Sequence, residues 1–149
     1  MIPELIASSG EAPDQDTITR IMDVFGRRFD IPPDYRVTIV CVNENEICHY
    51  NKEFFDRDEV TDVISVNMDE QFEEGYLWGE IYVSTETAQK ESEKRGALWE
   101  EEAYFYIVHG LLHLAGFEDT TDDELQKMWD IQIDLLEQCG MSRKSFVEE

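Results

Sequence analysis

Apolar residues recur along the chain in two rhythms, one of period two and one of period 3.6, and their succession predicts its elements. Ile2 to Ala7 is apolar enough for a short strand, ended by Ser8-Ser9-Gly10. Ile18, Ile21, Met22 and Phe25 then follow i, i+3, i+4, i+7, the stripe of an amphipathic helix with Asp16 as cap and Gly26 near its end. A turn at Ile31-Pro32-Pro33-Asp34 leads into Tyr35 to Val42, a strand rich in β-branched residues, with Val40-Cys41-Val42 expected to be buried on both faces. Asn43 and Glu46 have the spacing of a capping box, and Ile47, Tyr50, Phe54 and Phe55 line one face of the helix they open. His49 on that helix reads as an ordinary surface or packing residue.

The acidic Asp56-Arg57-Asp58-Glu59 leads to Val60 through Val66, expected to be a central strand entered through a charged loop. Asn67 to Glu74 lacks a period and reads as a loop or hairpin connection, followed by a strand at Leu77 to Val83. About ten residues between the two strands are too few for a parallel crossover, so the pair should be antiparallel and the sheet mixed. Ser84 or Thr85 caps a helix through Lys94, ended by Gly96. Another begins near Leu98 with Glu100, Glu101 and Glu102 at the positive end of its dipole. Thr120 or Thr121 caps a last helix, with an apolar face of Leu125, Met128, Trp129, Ile131, Leu135 and Leu136, closed by Gly140. The tail from Met141 to Glu149 has little to bury and is expected to fray. The expectation is one α/β (α+β) domain over residues 1–149, a small mixed sheet of about four strands packed with about five helices.

Composition narrows this picture. A chain of 149 residues with 42% apolar and 11% aromatic residues can bury a single core without staples. No apolar run approaches the roughly 18 to 20 residues of a membrane span, and Met1 to Gly10 has no signal-like pattern, so a cytoplasmic protein without membrane attachment is expected. Cys41, Cys48 and Cys139 show no C-x-x-C spacing and read as buried thiols. With 12 basic against 35 acidic residues, the net charge of −23 should repel polyanions at long range. Local patches at Arg27-Arg28, Lys90 with Lys94-Arg95, and Arg143-Lys144 are the candidates to offset it.

The chemistry concentrates in Val108 to Asp119, where His109 and His113 stand four residues apart on the apolar helix. On a helix that spacing puts both imidazoles on one face, and buried histidines need partners for their ring nitrogens. Gly116 can take a positive φ and turn the chain so that Asp119 supplies an oxygen ligand, giving a three-ligand site at the end of a central helix. The plainer alternative is that each histidine bonds a carbonyl or carboxylate and simply packs. The zinc-protease motif H-E-x-x-H needs a glutamate where this chain has Gly110, so a peptidase would lack its base; Gly110 could instead let a strand or ligand approach the helix.

His109 through Phe117 resembles the H-G-x-L-H-L-x-G-Y/F signature of the YbeY-type endoribonucleases, the rRNA maturation factors. Thr61-Asp62-Val63-Ile64-Ser65 is similar to that family's T-D-V-L-S strand and Gly79-Glu80-Ile81 to its G-D/E-I strand, in the family's order and across nearly the whole chain. The family's usual third ligand is a histidine, where this chain has Asp119; it commonly carries an arginine where this chain has Phe55, with Arg57 two residues on. The resemblance implies one zinc ion, or another divalent transition metal, on His109, His113 and Asp119, with Arg57 a candidate phosphate contact and Glu80 a candidate base or histidine partner. It also implies a single-strand-directed endoribonuclease acting in 16S rRNA 3′-end maturation and ribosome quality control. The implied partners are rRNA or the small ribosomal subunit, with a ribosomal protein or GTPase as a further candidate. Two alternatives are a ribosome-associated binding factor with a structural metal, and a zinc-dependent hydrolase of another class.

Overall fold

Strand β1 (Ile2–Ala7) pairs in parallel with β2 (Tyr35–Val42), β2 pairs in parallel with β4 (Gly75–Ser84), and β4 pairs antiparallel with β3 (Val63–Phe72). The order β1-β2-β4-β3 is thus a mixed four-stranded sheet in a single α+β domain. The computed structural model describes residues 1–147. Its helices are α1 (Gln15–Arg28), α2 (Glu44–Phe55), α3 (Thr85–Arg95), α4 (Trp99–Leu114) and α5 (Asp122–Gln138). None of the described helices is long and apolar enough to cross a membrane.

Helix α4 is the centre of the packing. Ala103, Ile107, Val108, Leu111 and Leu112 are fully buried on it, against Ile81 and Val83 of the sheet, Phe25 of α1, and Met128 and Leu135 of α5. The opposite face of the sheet carries α2 over a smaller cluster of Val42, Ile47, Ile64 and Tyr82. Two glycines set how closely α4 sits on the sheet. A Cβ on Gly110 would lie 2.9 Å from Ser65 Oγ and 3.1 Å from Ile81 Cγ2; one on Gly79 would lie 2.6 Å from Leu114 Cδ2 and 2.8 Å from the Val66 carbonyl oxygen. Gly110 therefore makes room for a strand, and a larger side chain there, glutamate included, would have to displace the side chains of Ser65, Ile81 and Val63.

Several sequence expectations change once pairing is known. β3 starts at Val63 rather than Val60, because its partner β4 ends at Ser84, which caps α3 by accepting from Thr87 N–H. It also continues to Phe72 through residues expected to form a loop, held by Phe72 opposite Gly75; a bulge at Met68 and Asp69, where Asp69 has φ 50°, absorbs the irregular stretch. Asp14, not Asp16, caps α1. Asn43 caps α2 through Glu46 N–H, but its own N–H is taken by Ser9 Oγ at 2.9 Å, so the reciprocal half of that box is replaced by a tertiary bond. Trp129 is exposed, and the buried side of α5 contains Gln132 instead. Cys41 and Cys139 are buried as expected, while Cys48 is only half-buried. The tail forms a 3-10 turn at Arg143–Ser145, and Phe146 stacks on Phe105 at 5.4 Å; Glu148 and Glu149 lie outside the described residues.

Candidate metal centre

The last turn of α4 builds most of the centre locally. Spacing i, i+4 brings the rings of His109 and His113 to 4.7 Å between centroids, at 83° to one another. The helix then closes with Phe117 N–H on the Leu112 carbonyl and Gly116 N–H on that of His113, both 3.0 Å, a Schellman turn that needs the φ of 98° at Gly116. This turn also aims the Phe117 carbonyl back at His113. Three residues after Gly116, Asp119 returns over the histidines, its following chain anchored by the α5 capping box of Thr121 and Glu124.

Proton accounting fixes what the three side chains present to each other. His113 Nδ1 lies 3.0 Å from the Phe117 carbonyl, which can only accept, so Nδ1 carries the proton. His109 Nδ1 lies 2.9 Å from Gln132 Oε1, and Gln132 Nε2 donates to the Phe105 carbonyl at 3.0 Å. That second bond orients the amide, so Oε1 faces His109 and its Nδ1 is also the protonated nitrogen. Both Nε2 lone pairs then converge: His109 Nε2 and His113 Nε2 are 3.1 Å apart, and Asp119 Oδ2 lies 3.1 Å from the first and 3.2 Å from the second. Three Lewis bases facing inward repel unless a cation lies among them. Ligands at zinc distances in a tetrahedron are about 3.3 Å apart, close to these edges. The group could hold a metal ion, and its donor set, two imidazoles and one carboxylate, suits a divalent transition metal.

Electrostatics agree with that role. Burial works against the charged form of Asp119, but its contacts with His109 and His113 outweigh it and hold its carboxyl below the usual range. Asp62 keeps solvent access but is hemmed in by protein, and this desolvation raises its carboxyl despite the attraction of His109.

Two hollows meet at the centre and share Thr61, Val63 and Asp119 on their walls. The larger, about 610 Å³, runs past His109 and is lined by Asp62, Glu91, Glu102 and Trp129. The other, about 390 Å³, runs past His113 and is lined by Asn51, Phe55, Arg57, Ser65 and Asn67. Arg57 is thus on the wall of a groove that reaches the histidines, and no ion pair to it forms among the described residues. Glu80 is not brought to the site. It alternates with Ile81 and therefore faces α2, on the sheet side away from α4, where its Oε2 accepts from Tyr82 Oη at 2.7 Å. The histidine partners are Gln132 and the Phe117 carbonyl instead.

Gln132 is the residue that sequence reading missed, although a glutamine within the apolar stripe between Met128 and Leu136 is itself a signal. Ser65 and Asn67 were not singled out either. Ser65 Oγ donates to the Gly110 carbonyl at 2.9 Å and Asn67 Nδ2 to that of Leu114 at 3.4 Å, tying β3 to α4. The expected basic patches are largely neutralised: Lys90 pairs with Glu44, Lys94 with Glu91, Arg95 with Glu102, and Arg143 with Asp134 and Glu137.

The family model described as Endoribonuclease YbeY matches residues 8–140. An Endoribonuclease YbeY from Staphylococcus epidermidis is 30% identical over 136 residues, covering 86% of this chain and 88% of the relative. One from Halalkalibacterium halodurans is 35% identical over 119 residues, covering 73% of this chain and 75% of the relative. Among solved structures, the solution structure of TM1509 from Thermotoga maritima superposes with a TM-score of 0.62 over 93% of this chain and 89% of that one; at 24% identity, it supports the fold alone.

Proposed function

The chain belongs to the Endoribonuclease YbeY family, and on that premise we propose that it is a metal-dependent, single-strand-directed endoribonuclease of the cytoplasm. Its proposed work is maturation of the 3′ end of 16S rRNA and ribosome quality control, with the small ribosomal subunit as partner and a ribosomal protein or GTPase as a further one. The observation that carries metal dependence is the convergence of His109 Nε2, His113 Nε2 and Asp119 Oδ2, with both Nδ1 protons engaged elsewhere.

A zinc ion held by these three residues would supply Lewis acidity toward water and phosphate. The protein's own contributions are positional. Gln132 and the Phe117 carbonyl hold both imidazoles in the ligating tautomer. Arg57, on the groove wall beyond His113, is set to pair with a substrate phosphate and steady charge that develops on its oxygens. The acidic hollow on the His109 side disfavours phosphate, and so does the net charge of −23, so RNA affinity should depend on few contacts and fall with salt.

The test is elemental analysis paired with cleavage of unstructured RNA by the wild type and by Asp119→Ala and His113→Ala. One transition metal per wild-type chain, with metal and cleavage both lost in the variants, is the expected result. Persistent cleavage by a folded His113→Ala protein that binds no metal would overturn the reading.

A further inference from the structure

We propose that Phe55 is a stacking platform for an unpaired nucleobase, one step along the groove from the phosphate that Arg57 contacts. This rests on the endoribonuclease reading above. Phe55 ends α2 and is 51% exposed, next to the 40% exposed Phe54, so two neighbouring rings open an aromatic patch to solvent. Phe55 lines the same hollow as Arg57, Asn67, His113 and Asp119, so a strand lying there would meet an aromatic residue, a cation and two of the three candidate metal ligands together.

The platform is held in place from both sides. Behind it runs an aromatic chain: Tyr82 to Tyr50 at 4.4 Å, Tyr50 to Phe54 stacked at 6.0 Å, and Phe54 to Phe55 at 6.4 Å and 65°. Ahead of it, the turn is pinned. Asp56 takes the left-handed conformation at φ 55°, Arg57 N–H reaches the Asn51 carbonyl at 3.3 Å, and Asn51 Nδ2 donates to the Glu59 carbonyl at 3.1 Å from a side chain that is almost fully buried. Phe55 and Arg57 therefore share one rigid corner rather than a free loop.

Charge selects the direction of the strand. The hollow on the His109 side presents Asp62, Glu91 and Glu102, whereas the Phe55 side sets Arg57 against one carboxylate, Glu59, among neutral amides, so phosphates leaving the centre meet less repulsion along the latter. A nucleobase offers a flat face to Phe55 and leaves its phosphate for Arg57. An apolar peptide would leave the guanidinium unmatched. Stacking of this kind tolerates any base but requires an unpaired one.

The experiment compares wild type, Phe55→Ala, Phe55→Leu and Phe55→Trp for equilibrium binding of a short unstructured oligoribonucleotide and of the same oligomer carrying abasic sites. Fluorescence anisotropy reads the affinity, a denaturing gel checks that the RNA stays intact, and circular dichroism checks the fold. Alanine and leucine should weaken binding of the intact oligomer roughly five- to tenfold, tryptophan should preserve it, and the abasic oligomer should bind all four alike. Leucine binding as well as phenylalanine, or an equal loss on the abasic oligomer, would overturn stacking. Unchanged RNA affinity with lost sedimentation on small ribosomal subunits would overturn it in favour of a protein contact. A wild type that cuts RNA but shows no dependence on Phe55 sinks only this proposal; one that neither binds nor cuts RNA sinks the underlying reading as well.

Discussion

Replacing Gln132 by leucine should weaken metal binding while leaving the fold intact, because the two forms of the protein depend differently on one proton. Gln132 is fully buried and is the acceptor for His109 Nδ1–H at 2.9 Å, in a site where the histidine side chain is only 14% exposed. Leucine matches its bulk but accepts nothing. In the metal-free protein, the imidazole can respond by moving its proton to Nε2, where Asp119 Oδ2 lies 3.1 Å away, so little stability is lost. With metal bound, Nε2 is the ligand and the proton has to stay on Nδ1, buried without an acceptor, at a cost of about 1 to 3 kcal/mol. That penalty falls on affinity, as a loss of about 10- to 100-fold, or about 1.4 to 2.8 kcal/mol. Competition against a chromophoric chelator with zinc or cobalt measures it directly, with thermal unfolding of the metal-free protein as the control. Gln132→Glu keeps an acceptor toward His109 and should hold affinity well above that of the leucine variant. A folded Gln132→Leu protein that binds metal within about twofold of wild type would refute the proton accounting on which the site rests.

Three further outcomes follow from the packing. Gly110→Ala gains about 1 kcal/mol of helix propensity but crowds Ser65 Oγ and Ile81 Cγ2, so a net loss of about 1 kcal/mol, or about 2 to 4 °C in Tm, is expected; Gly79→Ala, which meets the Val66 carbonyl at 2.8 Å, should cost more. An unchanged or raised Tm for Gly110→Ala would show that the contact gives way easily. Thr121→Ala removes the α5 capping box and should cost about 1 kcal/mol near neutral pH. Hydrogen bonds from Thr120 and Thr121 hold the folded Glu124 carboxyl below its ordinary 4.5, so its contribution is present above that value and is lost as pH falls through the lower folded value; the gap between wild type and Glu124→Gln in urea unfolding should narrow in acid. Burial pushes the Cys41 thiol up to about 12, so thiol reagents at mildly alkaline pH should label Cys48 first and reach Cys41 only on unfolding, as mass spectrometry of the labelled protein would show.

What could be read in the chain itself is what lies within a few turns of backbone. The i, i+4 histidines, the positive-φ Gly116, the return of Asp119 and the Thr121 cap all fall between residues 109 and 124, and helix geometry alone relates them. The same locality made the antiparallel β3–β4 hairpin legible, because a short connection leaves no other pairing. Tertiary structure decided whatever depends on which strand lies beside which, and on which face. β3 runs to Phe72 because β4 offers it a partner, overriding a stretch with no period of its own. Glu80 sits in a motif of the right kind but, one residue out of phase with Ile81, faces the wrong side of the sheet. Gln132 reaches His109 from another helix, 23 residues on, and Ser65 reaches Gly110 across 45. The chain alone brings the three candidate ligands together because their geometry is that of one helix and its turn; the groups that set their protons, and the groove they open onto, exist only once separate elements have docked.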